Sequence, residues 1–189
     1  MFESVQQYLG SYVYPLLEET RAQLHSSIEI ISEAPFAEVI AFDEAKPYGS
    51  NLYDVKVDSW RNRFGVHGKE PYKTLPGDIF VLADAKPEDV SDLQRIGRQW
   101  AFVTVSKIPD DENEDNSTCT NFKVKALKDA EVIGVQKSLF VVFLINTTTH
   151  KRIWNALHMS RNLEIIKKVL RTDPLVSNWG INVVASFMF

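Results

Sequence analysis

The 189 residues are 44% hydrophobic and 24% charged, the make-up of an ordinary globular protein with enough chain for one well-buried core. A formal net charge of −4 excludes a globally basic nucleic-acid binder but not a local basic face. The single cysteine, Cys119, excludes an intrachain disulfide framework and a multi-cysteine zinc site.

Residues 1–33 carry Glu3, Glu18, Glu19, Glu29 and Glu33 against Arg21 alone. Within them, Val13, Leu16, Leu17, Leu24, Ile28 and Ile31 recur at helical spacing, which predicts a helix over Ser11–Ile31. Pro15 falls in its first turn, where a missing N–H costs little, and Ala34-Pro35 ends it. Met1–Gly10 has neither a basic start nor an apolar stretch of the secretory kind, so the cell interior is expected.

Six strand signals follow. Phe36–Asp43 is rich in apolar and β-branched residues. Leu52–Trp60 alternates, with Tyr53, Val55 and Val57 on one side and Asp54, Lys56 and Asp58 on the other, the mark of a sheet with one wet face. Gly77–Ala83 opens after Pro76, and Gln99–Ile108 sets Ala101, Val103 and Val105 against Phe102, Thr104 and Ser106. Phe122, Val124 and Ala126 alternate with Lys123 and Lys125. Ser138–Asn146 is continuously apolar and predicts a strand covered on both sides; its apolar run, Leu139–Ile145, is too short to span a bilayer.

The connections carry turn chemistry. Lys46–Asn51 is a turn, Pro87–Gly97 predicts a short helix started by Pro87 and stopped by Gly97, and Asp110–Asn116 is an acidic loop. The sequons at Asn116 and Asn146 read as polar loop sequence. Residues 150–172 carry Lys151, Arg152, Arg161, Lys167, Lys168 and Arg171 against Glu164 alone, with Ser160 as the cap of a helix over Arg161–Arg171.

The expected fold is α+β: a small six-stranded, mostly antiparallel β-barrel flanked by two antiparallel stalk helices. Closure removes the edges that six short strands would otherwise expose. The expected organisation is an N-terminal stalk helix over 1–34, the barrel over 35–148, a C-terminal stalk helix over 149–172 and a divergent apolar tail over 173–189.

The strand ending in Asp43-Glu44-Ala45 resembles the magnesium-binding strand of a P-loop ATPase, but the phosphate cradle that chemistry requires is missing from these residues. Gly65-Val-His-Gly68-Lys69 has the wrong glycine spacing. His25, His67, His150 and His158 form no helical pair with i, i+4 spacing, and no acid–base pair stands out. Neither catalysis, a cofactor nor a metal is expected. Basic and aromatic residues do gather at Trp60, Arg61, Arg63, Phe64, Lys69, Tyr72 and Lys73, and again at Arg95, Arg98 and Trp100. Such residues can hold phosphates and stack on bases. The competing reading has the tryptophans filling the barrel and the arginines solvating its rim.

Tyr14-Pro-Leu-Leu-Glu-Glu-Thr-Arg21, Tyr53-Asp-Val-Lys-Val57, Pro71-Tyr-Lys-Thr-Leu-Pro-Gly-Asp-Ile79 and Arg152-Ile-Trp-Asn-Ala-Leu157 resemble the N-terminal region of plant senataxin-like superfamily-1 helicases over residues 4–171. The resemblance implies a β-barrel on helical stalks that helps guide single-stranded RNA or DNA, and a nuclear location. The family's ATP-binding loop and second motor domain do not follow residue 172, which implies a truncated helicase product. The resulting expectation is a non-catalytic nucleic-acid-binding or regulatory module, with contacts from Trp60, Arg61, Arg63, Lys69, Lys73, Arg95 and Arg98. The alternative is a protein-interaction module docking on a helicase core or other partner, with Trp179, Val183, Val184 and Phe187 of the tail as contact area. No membrane partner is expected.

Overall fold

The computed structural model describes residues 2, 4–45, 51–61, 72–109, 120–126, 138–158, 166, 168 and 170. In chain order it places α1 (Val5–Gly10), α2 (Val13–Glu29), β1 (Phe36–Glu44), β2 (Leu52–Val57), β3 (Asp78–Ala83), α3 (Val90–Leu93), β4 (Trp100–Lys107), β5 (Thr120–Ala126), β6 (Leu139–Asn146) and α4 (Thr148–His158). The strands close into a barrel in the order β1-β2-β5-β4-β3-β6, every neighbour antiparallel. The α+β barrel architecture is as the alternation predicts. Among the described residues, no helix is long and apolar enough to cross a membrane.

Period-two alternation sets the inward face. Tyr53, Val55 and Val57 of β2, Val103 and Val105 of β4, and Phe122, Val124 and Ala126 of β5 are all buried in one cluster with Phe80, Leu82 and Val141. Phe80 sits at the centre, its ring centroid 5.6 Å from Phe122 and 5.3 Å from Trp60. Burying side chains of this size contributes about 1.5–3 kcal/mol each, so the filled interior dominates barrel stability.

β6 is covered on both faces, as its unbroken apolar run predicts. Val141 points into the barrel, while Val142 and Leu144 join an outer cluster with Val81, Ala83, Leu93 and Ile31. Leu24 and Ile28, from the last turns of α2, pack onto that cluster. The β3–β6 side of the barrel is therefore occupied by the chain itself.

Three expected boundaries move. The helix predicted over Ser11–Ile31 runs unbroken as α2 but starts at Val13, because Pro15 has no N–H to give the Ser11 carbonyl four residues back, and a separate helix, α1, precedes it. Instead Ser11 closes α1, its N–H reaching Gln7 O at 3.1 Å and its hydroxyl Tyr8 O at 2.7 Å. The short helix begins at Val90 rather than Pro87, because Asp89 caps it: the Asp89 carboxylate accepts from Asp92 N at 2.9 Å, and Asp92 reaches back to Glu88 N at 2.6 Å. Gly97, in left-handed backbone at φ +86°, lies past the Gln94 cap. The strand read to Trp60 ends at Val57; beyond it Arg61 and Phe36 exchange backbone hydrogen bonds of 2.8 and 2.9 Å.

α4 supplies the first part of the expected closing helix, and residues 166, 168 and 170 are also helical. The Ser160 cap, the acidic loop Asp110–Asn116, Cys119 and the tail 173–189 lie outside the described residues. Residues Arg21–Thr148 form one compact unit; the segments before and after form another.

A buried polar knot ties off one end of the barrel. Asp78, almost wholly buried, accepts from the Tyr72 hydroxyl, from Leu75 N at 2.6 Å and from Asn146 Nδ2 at 2.6 Å. Thr147 and Thr148 hydroxyls donate to Gly77 O and Pro76 O at 2.8 and 2.9 Å, joining the β3 entry to the β6 exit. Gly77 has φ +88°, and a Cβ there would meet Thr148 Oγ1 at 2.5 Å, so only glycine fits.

Burial, followed by the hydrogen bond to Asp78, pushes the Tyr72 hydroxyl far above the ordinary tyrosine range. The contribution is complete below about pH 10, where the unfolded chain also keeps this proton, and fades as pH rises further. Urea unfolding between about pH 9 and 11.5 should show a steeper alkaline loss in the wild type than in Tyr72→Phe, by one proton per chain. Equal slopes would show that Tyr72 is not held this way.

Candidate nucleic-acid interface

Among the described residues expected to grip phosphates, Arg61, Arg95 and Arg98 are committed to the protein's own carboxylates. Arg61 Nη2 lies 2.7 Å from Asp58 Oδ2 at an exposed site. The Ser59 backbone N–H, and then the Arg61 guanidinium, hold the Asp58 carboxyl below its usual range. Arg95 Nη2 stands 2.8 Å from Asp92 Oδ1, a contact of charges without an aligned hydrogen bond. Arg98 is held most firmly. Its Nη1 donates to Asp84 Oδ1 at 3.1 Å and its Nε to Asp92 O at 3.3 Å, while Gln99 N donates to Asp84 Oδ2. Both side chains of the Arg98–Asp84 pair are mostly buried, at 15% and 12% exposure.

Trp60 follows the structural alternative rather than the base-stacking one. Its ring packs on Tyr72 and Phe80, and its Nε1 donates to Thr74 Oγ1 at 3.0 Å. Trp100 does not fill the barrel; it lies on the outside against Phe102, with Nε1 donating to Leu93 O at 2.8 Å. Lys73 is exposed, and Arg63 and Lys69 lie outside the described residues. Arg95 and Arg98 converge on Asp92, so the second cluster is a staple for the β3–β4 connection.

A different set of cations faces outward, three of its four members without such commitments among the described residues. In the β2–β5 register Lys56 stands opposite Asn121, Asp54 opposite Lys123 and Leu52 opposite Lys125. In the β4–β5 register Thr104 stands opposite Lys125, and Lys107 opposite Lys123. Lys56, Lys107, Lys123 and Lys125 thus share the outer face of three adjacent strands. Lys123 is 2.7 Å from Asp54; among the described residues the other three make no ion pair. Sequence reading saw Lys56, Lys123 and Lys125 on wet faces, but only the barrel order β2-β5-β4 brings them side by side.

Among the described residues, no group of three or more His, Cys, Asp or Glu side chains could hold a metal ion. His25 is an exposed helix residue 3.6 Å from Glu29, and His158 stacks on Trp154.

Removing Arg98 strands two mostly buried acceptors, whereas removing Arg61 breaks an exposed pair. Urea midpoints should therefore place Arg98→Ala about 3 kcal/mol below the wild type and Arg61→Ala within about 1 kcal/mol of it. Equal costs would remove the structural role assigned to Arg98.

No curated protein matches the chain. Residues 1–177 match the family described as Domain of unknown function (DUF6469), which takes in both helical segments and every strand of the barrel. The chain is a member of the DUF6469 family.

Proposed function

We propose that this chain is a non-catalytic module that holds single-stranded nucleic acid on the outside of its barrel. In this reading it is a relative of the accessory barrel of plant senataxin-like superfamily-1 helicases, and it works in the nucleus beside or in place of a motor. The observation that carries the reading is a closed barrel whose interior is filled by Phe80, Phe122 and their neighbours, leaving its outer surface for binding. The four sequence phrases that resemble the helicase region support the same reading, as does the barrel lying between helical segments in the chain. Cationic and polar side chains on such an exterior can hold a nucleic-acid backbone through phosphate contacts.

A second reading, a docking arm for a helicase core or another protein, is supported by the helices. Neither α2 nor α4 contains a buried residue, and Tyr14, Leu17, Ile153 and Trp154 are exposed. Helices of this length draw most of their stability from packing an apolar face. The two readings are compatible, since one uses the barrel and the other the helices.

Fluorescence anisotropy with labelled single-stranded RNA and DNA at about 50 mM salt tests the first reading, which expects binding that weakens steeply as salt rises. Absence of binding to either oligonucleotide at that ionic strength would overturn it.

A further inference from the structure

We propose that the outer face of β2, β5 and β4, presenting Lys56, Lys107, Lys123 and Lys125, is the phosphate-binding surface for a single strand. This rests on the reading above and replaces the arginine clusters as its grip. The first argument is charge. Four cations share one continuous sheet face with a single described outward carboxylate, Asp54, on the same three strands. Arg61, Arg95 and Arg98 of the expected site have carboxylate partners at 2.7–3.1 Å, so a phosphate would have to displace them. Among the described residues, Lys56, Lys107 and Lys125 have no such partner to lose on binding.

The second argument is that the fold keeps a repulsive contact here. A register shift between Val105 and Lys107 turns Lys107 outward and pairs it with Lys123 on the neighbouring strand, where like charges destabilise a sheet. Asp54 reaches Lys123 only. A polyanion laid over the face relieves what the described residues leave unbalanced.

The third argument concerns the occupant. Of the large exposed hydrophobic residues described, only Trp100 lies on these three strands, at the end of β4 away from Lys107, with its Nε1 held by Leu93 O; the face around the lysines includes Thr104 and Asn121. Protein interfaces draw their affinity from buried aromatic and apolar anchors and are depleted in lysine. A lysine face with neighbouring hydroxyl and amide groups suits a phosphate backbone instead. Lys123 and Lys125 project from the same strand about 6.8 Å apart, and flexible lysine stems let them follow successive phosphates. Trp100 and Phe102, the aromatic residues on the outside of β4, pack edge to face on each other, and Phe102 also lies against the outer cluster, so bases go unread and RNA and DNA strands of any sequence should bind alike.

The test measures anisotropy of a labelled single-stranded oligonucleotide with wild type, Lys107→Thr, Lys125→Thr and the double variant, with Lys151→Thr of α4 as the charge-matched control. Threonine keeps the strand preference of each site. Each face substitution should weaken binding about eightfold at about 50 mM salt and flatten the log–log salt slope by about 0.7. Lys107→Thr should leave the thermal midpoint unchanged or raise it, which a merely structural lysine would not do. Wild-type binding that survives both face substitutions, or that Arg61→Ala or Lys73→Ala abolishes instead, overturns this inference and leaves the reading of the module standing. A wild type that binds no oligonucleotide overturns both. Tighter lysine-dependent binding to vesicles rich in anionic phospholipid than to the oligonucleotide would refute the nucleic-acid occupant.

Discussion

Closure of the sheet by β6 is the constraint on which the other features depend. This strand hydrogen-bonds to β3 on one side and β1 on the other, so no strand is left with an open edge. Its position also divides the exterior. The β3–β6 side is apolar and takes the last turns of α2, while β2 and β5 alternate and, with the Lys107 end of β4, present a wet side. A single closed sheet thereby acquires a packed side and a charged side, and the Asp78 knot fixes where the chain enters β3 and leaves β6.

That division is visible in the residues before any coordinates. Strands that will be covered twice read as unbroken apolar runs, as Leu139–Ile145 does, and strands with one wet face alternate, as Tyr53–Val57 and Phe122–Ala126 do. The barrel itself was therefore legible from period and run length. The start of α2 at Val13 was open to the same reasoning, since the apolar stripe begins at Val13 and Pro15 removes the one hydrogen bond that would extend the helix back to Ser11. The start of α3 turned on a competition between Pro87 and Asp89, and the side-chain cap won because it satisfies a backbone donor that proline cannot.

The site was less legible, for a reason of distance along the chain. Arginines at 61, 95 and 98 look alike in sequence, and nothing local says that Asp84 folds back onto Arg98. A charge cluster in sequence is a potential grip until its counter-charges are placed. The reverse holds for the lysines: Lys56, Lys107 and Lys125 come from separate strands and look like scattered solvating residues. Strand order and register are non-local, so the face they make exists only in the closed barrel. The chemistry of the two residue types fits the outcome. Arginine's planar fork suits a fixed carboxylate pair, whereas a flexible ammonium suits a partner whose phosphates shift.

Amine acetylation read by mass spectrometry, with and without saturating single-stranded RNA, tests the account most directly because it reports each lysine of the unmodified chain. The account predicts slowed labelling at Lys56, Lys107, Lys123 and Lys125 together, with Lys151 labelled at the same rate in both samples. RNA-dependent protection that misses those four positions, or falls on α4 instead, would contradict it.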